Sequence, residues 1–244
     1  MRVLLRTRAA GFEGDARGRV REVLTDSGER LTADLVLIGI GIRPNVRLAE
    51  EAGIALGPTG AIAVDERQET NITGIFAAGD CCEVKHLVTG RPTWIPLGPA
   101  ANKQGRVAGD NAAGRRATFA GVVGTAVVKV FDLEVARTGL SLQEALAAGF
   151  KAKKVSTTAS SRAGYYPGAH PITLVLIFDE ATHRLLGAQM VGREGVAKRI
   201  DVFATALHAR MTLEEMSQLD LSYAPPFAPV WDPILTAVNV ALKA

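Results

Sequence analysis

Asp80 and the residues beside it carry the first recognisable chemistry in this chain. The apolar tetrapeptide Ile75-Phe76-Ala77-Ala78 reads as a short strand, and Gly79-Asp80 stops it. A carboxylate at the carboxyl end of a strand sits where open α/β sheets bind their ligands, and the glycine lets a second backbone approach. Taken alone, the dipeptide is more often a plain turn. Further on, Leu97-Gly98-Pro99-Ala100 opens a helix. Its N-terminus favours negative charge, and proline fits its first turn because that N–H has no partner anyway. All three tyrosines, Tyr165, Tyr166 and Tyr223, fall in two loops rich in proline and glycine, residues 162–169 and 222–233. Stiff loops suit the placing of a phenol, although for any single tyrosine aromatic packing is the commoner reason. Cys81 and Cys82 are neighbours, poorly placed to bridge each other and without CxxC spacing, so they read as small residues behind Gly79-Asp80. His86, His170, His183 and His208 are scattered at no metal-ligand spacing, and no metal site is expected.

The elements that must position these groups follow from periodicity. Apolar and polar residues alternate over 2–7 and again over 18–25. Asp26-Ser27-Gly28 then turns the chain into a buried strand over 31–38, which runs on into Gly39-Ile40-Gly41-Ile42-Arg43-Pro44-Asn45. A short helix over 46–56 and a strand over 60–64 lead to the Asp80 stretch. From residue 121 the pattern changes, and 125–131, 133–138, 151–158, 172–178 and 185–191 predict five β segments. Residues 141–148 predict a helix with a capping box, Ser141 and Glu144. Helices over 195–210 and 212–219 follow, the second opened by Thr212 with acidic residues in its first turn. Five strands with helices on one face make an α+β domain.

Composition removes several classes of function. With 244 residues, 48% hydrophobic and 22% charged, the chain can bury a sizeable core as one large or two modest domains. A formal net charge of +3 without clustered Lys and Arg argues against nucleic acid. The longest apolar runs, such as 35–42 and 121–128, fall short of the ~20 residues a membrane-spanning helix needs. The amino-terminal stretch lacks the apolar core of a signal peptide, so the expected compartment is the cytoplasm and no membrane partner is expected.

The stretch from Thr70 through Gly79-Asp80 to the proline-started helix resembles the second flavin motif of the pyridine nucleotide-disulfide oxidoreductases. That resemblance implies that Asp80 accepts hydrogen bonds from the ribityl chain of FAD beside Gly79. It also implies that the helix at Pro99 and Ala100 faces the pyrimidine edge, where reduced flavin carries negative charge. Gly39 and Gly41, in a GxGxxPN segment, resemble the end of this family's NAD(P)H domain, which implies close backbone approach to the nicotinamide side. Order and length after residue 119 resemble the dimerisation domain, which implies a homodimer. The paired loops Tyr165-Tyr166-Pro167-Gly168 and Tyr223-Ala224-Pro225-Pro226 resemble the coenzyme A-disulfide reductase branch, shared with persulfide reductases. In that branch tyrosines of one subunit reach the redox cysteine of the other, so the resemblance implies catalytic roles for Tyr223 and Tyr165. Residues 223–232 contain no histidine, unlike the glutathione reductase and lipoamide dehydrogenase branches, and this fits a single-cysteine mechanism. Hydride would pass from NAD(P)H to FAD and electrons onward to a mixed disulfide.

No GxGxxG follows an early strand, and nothing matches the family's redox cysteine. The chain is therefore expected to be the carboxyl-terminal portion of a longer flavoprotein. It would comprise 1–45 as the end of the NAD(P)H domain, 46–118 as the closing segment of the FAD domain and 119–244 as the dimerisation domain. The expected fold is a partial Rossmann-like α/β region followed by an α+β domain. The expected function is FAD-dependent NAD(P)H:disulfide oxidoreduction on a small-molecule disulfide or persulfide, with this chain inactive alone. An NADH oxidase or peroxidase of the same family and a non-catalytic dimeric module are the alternatives.

Overall fold

The computed structural model describes residues 2–244, which form two compact units divided between Arg43 and Pro44. In the first, β1 (Ala9–Gly14), β2 (Val20–Thr25) and β3 (Arg30–Thr32) make an antiparallel sheet in the order β1-β2-β3. Asp15 builds its first turn by accepting the N–H groups of Arg17 and Arg19 at 2.9 and 3.0 Å. The bond from Arg19 is the main cause holding its carboxyl below the usual range. Two expectations fail in this unit. Residues 2–7 form no strand, because the register begins by pairing Ala9 with Thr25 and nothing earlier has a partner across β2. The strand expected over 31–38 stops at Thr32, and Leu35, Leu37 and Ile40 are exposed. Backbone N–H and C=O groups need a neighbouring strand, and among the described residues none pairs with this run.

The second unit opens with α1 (Arg47–Glu51), shorter than the expected helix over 46–56; Gly53, at φ 76°, turns the chain just beyond it. Residues 60–64 and 75–78 form no strands. Their backbones make only single bridges, Ile62 to Leu56 and to Cys82, and Phe76 to Glu69. What holds this region is a small cluster of Ala49, Ile62 and Cys82 with Val46, Ile54 and Leu56 against it. A hairpin of β4 (Val84–Lys85) and β5 (Pro92–Thr93) then leads into α2 (Gly98–Ala112).

The five expected β segments all appear as β6 (Ala126–Val130), β7 (Leu133–Gly139), β8 (Ala152–Ser160), β9 (Pro171–Asp179) and β10 (Leu185–Gly192). They form one antiparallel sheet in the order β6-β7-β10-β9-β8. Between β7 and β8 lies α3 (Leu142–Ala147), and its capping box is present, with Glu144 N–H donating to Ser141 Oγ and Ser141 N–H to Glu144 Oε2. After β10 come α4 (Val196–Ala209), α5 (Leu213–Ser217) and α6 (Pro233–Ala241). The start of α4 is capped from the sheet, since Val196 and Ala197 both donate to Glu134 Oε2 of β7 at 2.7 and 2.9 Å. The last helix, α6, was not expected from periodicity, although Asp232-Pro233 is a good start signal: Asp232 Oδ1 accepts the Ile234 N–H at 2.9 Å.

Alternation along β9 turns Ile172, Leu174 and Leu176 to one face, where they pack with Met190 of β10, Ile200 and Phe203 of α4, and Ile234 and Val238 of α6. Burying each such side chain contributes about 1.5–3 kcal/mol. Close approach fixes one glycine in this domain. Gly139 has φ +64°, and a Cβ there would lie 2.3 Å from the Leu186 carbonyl oxygen. Among the described residues no helix is long and apolar enough to cross a membrane.

Candidate functional site

The Gly79-Asp80 turn packs against the opening of α2. Gly79 takes φ +90°, and its Cβ position lies 3.7 Å from Ala101 Cβ. Its N–H donates to the buried Gln104 Oε1 at 3.1 Å, while Gln104 Nε2 donates to the Glu83 carbonyl at 3.1 Å. One amide of α2 therefore grips both sides of the turn. A second grip comes from Trp94, whose indole N–H donates to the Asp80 carbonyl at 2.7 Å. The Asp80 carboxylate itself is exposed and accepts no hydrogen bond from the described residues. The backbone is thus pinned and the charge left free for a ligand.

The start of α2 is narrower as an anion site than the sequence suggested. Leu97 is the N-cap, in an extended conformation and without a side-chain cap. Pro99 is exposed and has no N–H, and the buried Ala100 turns its own back to the Leu97 carbonyl at 3.0 Å, as does Ala101. Gly98 N–H remains at the helix tip. Gly39 and Gly41 belong to the other unit, where both are exposed, with no atom within 4 Å of a Cβ position at either.

Tyr165 and Tyr223 are brought together from their separate loops. Hydrogen bonding to Tyr223 is the main cause raising the Tyr165 pKa from its ordinary value. Both side chains are exposed, as are Phe227, Val230 and Trp231 nearby in sequence. A direct bond joins the loops, from Ala163 N–H to the Pro225 carbonyl at 3.2 Å.

Two ion pairs that sequence reasoning missed hold these loops. Arg162 engages Glu194 through two guanidinium nitrogens, one bond being 2.8 Å, and lies over the Tyr166 ring with 5.9 Å to its centroid. Arg162 is the first cause of the lowered Glu194 pKa, and Ser161 Oγ–H adds a bond of 2.6 Å to the same carboxylate. Arg199 of α4 is the second clamp. Its Nε donates to Asp232 Oδ2 at 2.8 Å, and its Nη2 to the carbonyls of Ser161 and Phe227 at 2.9 and 3.4 Å. One part-buried guanidinium thus ties both tyrosine loops to the same helix. No local pattern marks such pairs, since their partners lie 32 and 33 residues apart.

Cys81 and Cys82 are free thiols with Sγ atoms 3.7 Å apart, and burial pushes the Cys82 thiol up. Among the described residues no group of three His, Cys, Asp or Glu side chains is placed to hold a metal ion.

Comparison with known proteins places these features in context. Residues 1–105 match the family model described as pyridine nucleotide-disulphide oxidoreductase, and residues 125–233 match the dimerisation domain of the same family. The NAD(P)H coenzyme A polysulfide/persulfide reductase of Pyrococcus horikoshii is 44% identical over 238 residues, covering 98% of this chain and 53% of that protein. A protein of Methanocaldococcus jannaschii described as NADH oxidase is 40% identical over 228 residues, covering 92% of this chain and 50% of the other. The solved structure of an NAD-dependent persulfide reductase from A. fulgidus superposes with a TM-score of 0.92 at 45% identity, covering 97% of this chain and 44% of that one. The chain spans about half the length of the relatives it matches.

Proposed function

Because the chain belongs to the pyridine nucleotide-disulphide oxidoreductase family, we propose that it supplies the isoalloxazine side of an FAD site and the tyrosine-bearing dimer surface of an NAD(P)H-dependent coenzyme A-disulfide or persulfide reductase. The observation that carries this reading is the Gly79-Asp80 turn, gripped by Gln104 and Trp94 while its carboxylate stays free beside the opening of α2. These residues fit a flavin: Asp80 would accept ribityl hydroxyls, and Gly98 N–H at the helix tip would face the edge where negative charge develops. Bound there, FAD supplies two-electron transfer between nicotinamide and sulfur. In the unit before Pro44, Gly39 and Gly41 would let the backbone approach the nicotinamide.

The paired phenols favour the sulfur-reducing branch. Tyr165 and Tyr223 lie together at an exposed edge and, hydrogen-bonded to each other, keep one phenol O–H free to donate, suited to holding a thiolate of a second subunit. The protein would act as a homodimer through the domain from residue 119, on a small-molecule disulfide or persulfide. The 40% identity to a protein described as NADH oxidase keeps oxygen as the second acceptor to test.

Riboflavin, which has the ring and ribityl chain but no phosphate, tests the site in this chain. It should bind weakly and be quenched. FAD should bind no more than about tenfold tighter, since no glycine-rich phosphate turn is present in the sequence. Asp80→Ala should weaken riboflavin by about tenfold or more, the value of one charge-assisted hydrogen bond. Equal quenching of the variant would refute the role of Asp80.

A further inference from the structure

Where the β4–β5 hairpin meets β6, β7 and α3 lies a cavity of about 670 Å³ that includes neither tyrosine loop and shares with the proposed flavin site only Trp94 and Leu97. His86, Arg91, Trp94 and Arg137 line it. The His86 ring is buried, and its Nδ1 accepts the Val88 N–H at 3.2 Å, so the neutral imidazole carries its proton on Nε2. Burial lowers the His86 pKa and keeps the ring neutral. No group among the described residues accepts from Nε2, which leaves a donor in the cavity wall.

The two arginines add more donors than the protein uses. Arg91 spends one bond on the Ala148 carbonyl, at 3.3 Å. Arg137 directs Nη2 to the Gly139 carbonyl and to Glu144 Oε2, at 3.0 and 2.6 Å. Glu144 is the single carboxylate lining the cavity, and it is already engaged by Arg137 and by Ser141 N–H. The remaining surface is apolar for the most part, and the Trp94 ring is fixed by its bond to the Asp80 carbonyl. Surplus donors beside a fixed aromatic face call for a ligand with an acceptor at one end and a flat apolar body.

We propose that this cavity binds a small aromatic anion, its carboxylate or phosphate held by Arg91, Arg137 and the His86 Nε2–H and its ring laid against Trp94. Because Trp94 also grips the Asp80 carbonyl, occupancy reaches the backbone of the turn that carries the free carboxylate.

The test titrates the 244-residue chain with benzoate, phenyl phosphate and benzyl alcohol while following the Trp94 and His86 ring N–H signals by ¹⁵N NMR. Saturable shifts with at least one anion are expected, and the tighter of the two identifies the head group. Benzyl alcohol should bind about tenfold or more weaker, as should the best anion to Arg91→Gln. Ala147→Phe, at an exposed position of α3 on the cavity rim, should block binding without touching the core. Absence of saturation with both anions, equal affinity for benzyl alcohol, or unchanged binding in both variants overturns the proposal.

Discussion

Residues 35–42 and strand β9 have nearly the same apolar character and opposite fates. Leu37 and Ile40 are each 92% exposed, whereas Ile172, Leu174 and Leu176 are each 0% exposed. β9 has β8 on one side and β10 on the other, with α6 across its face. The earlier run has no ladder partner among the described residues. Apolar content sets how much a segment gains from burial, and partners decide whether it becomes a strand at all.

The sharpest way to break this comparison is to cut the same side chain in both places. Leu174→Ala should destabilise the closing domain by about 2–5 kcal/mol, with a lowered urea midpoint, while Leu37→Ala should stay within about 0.5 kcal/mol. Similar losses at both sites would show that residues 35–42 are packed in solution. Glycines offer a smaller version. Gly139→Ala meets a backbone oxygen at a left-handed φ and should cost about 1–3 kcal/mol, whereas Gly39→Ala meets nothing within 4 Å and should leave the melting curve unchanged.

The smallest effect separates the sheet from the loops attached to it. Glu194 has its pKa lowered in the folded protein, chiefly by Arg162. Its contribution is therefore complete above the ordinary value of 4.5 and is lost as pH falls through the lower folded value. Acid titration should release the loop of Tyr165 and Tyr166, read by tyrosine fluorescence, before far-ultraviolet circular dichroism reports loss of the sheet. Glu194→Gln should remove that early step, and an early step persisting in the variant would place the titration elsewhere.

How much of this was legible in the sequence depended on how local each signal was. The capping box at Ser141 and the threonine start at Thr212 formed as expected, the latter as a second capping box with Glu215, because the partners lie three residues away. The five strands from β6 to β10 were legible because most carry alternation or β-branched enrichment of their own and all find a neighbour within the domain. The strands expected over 31–38, 60–64 and 75–78 were not realised as strands, since pairing is a property of neighbours that periodicity does not report. Asp80 stood out through its flanking motif, but the residues that hold its turn, Gln104 and Trp94, have no marker of their own. The same holds for Arg199 and Asp232, whose bond across 33 residues exists only once α4 and the loop are in place. The start signal at Asp232-Pro233 lies within a proline-rich stretch, where a helix start and a turn share the same residue types.

The order β6-β7-β10-β9-β8 has a consequence for how the chain is made. The central strand of the sheet is the last of its five to leave the ribosome. Until residues 185–192 emerge, the β6–β7 and β8–β9 hairpins are separate ribbons, each with an unpaired edge where β10 will enter. The apolar face of β9 is then open to other nascent chains, and these are the conditions under which strand edges recruit the wrong partner. Insertion of one strand closes both edges together, so the sheet passes from two aggregation-prone halves to a joined whole in a single late step of translation.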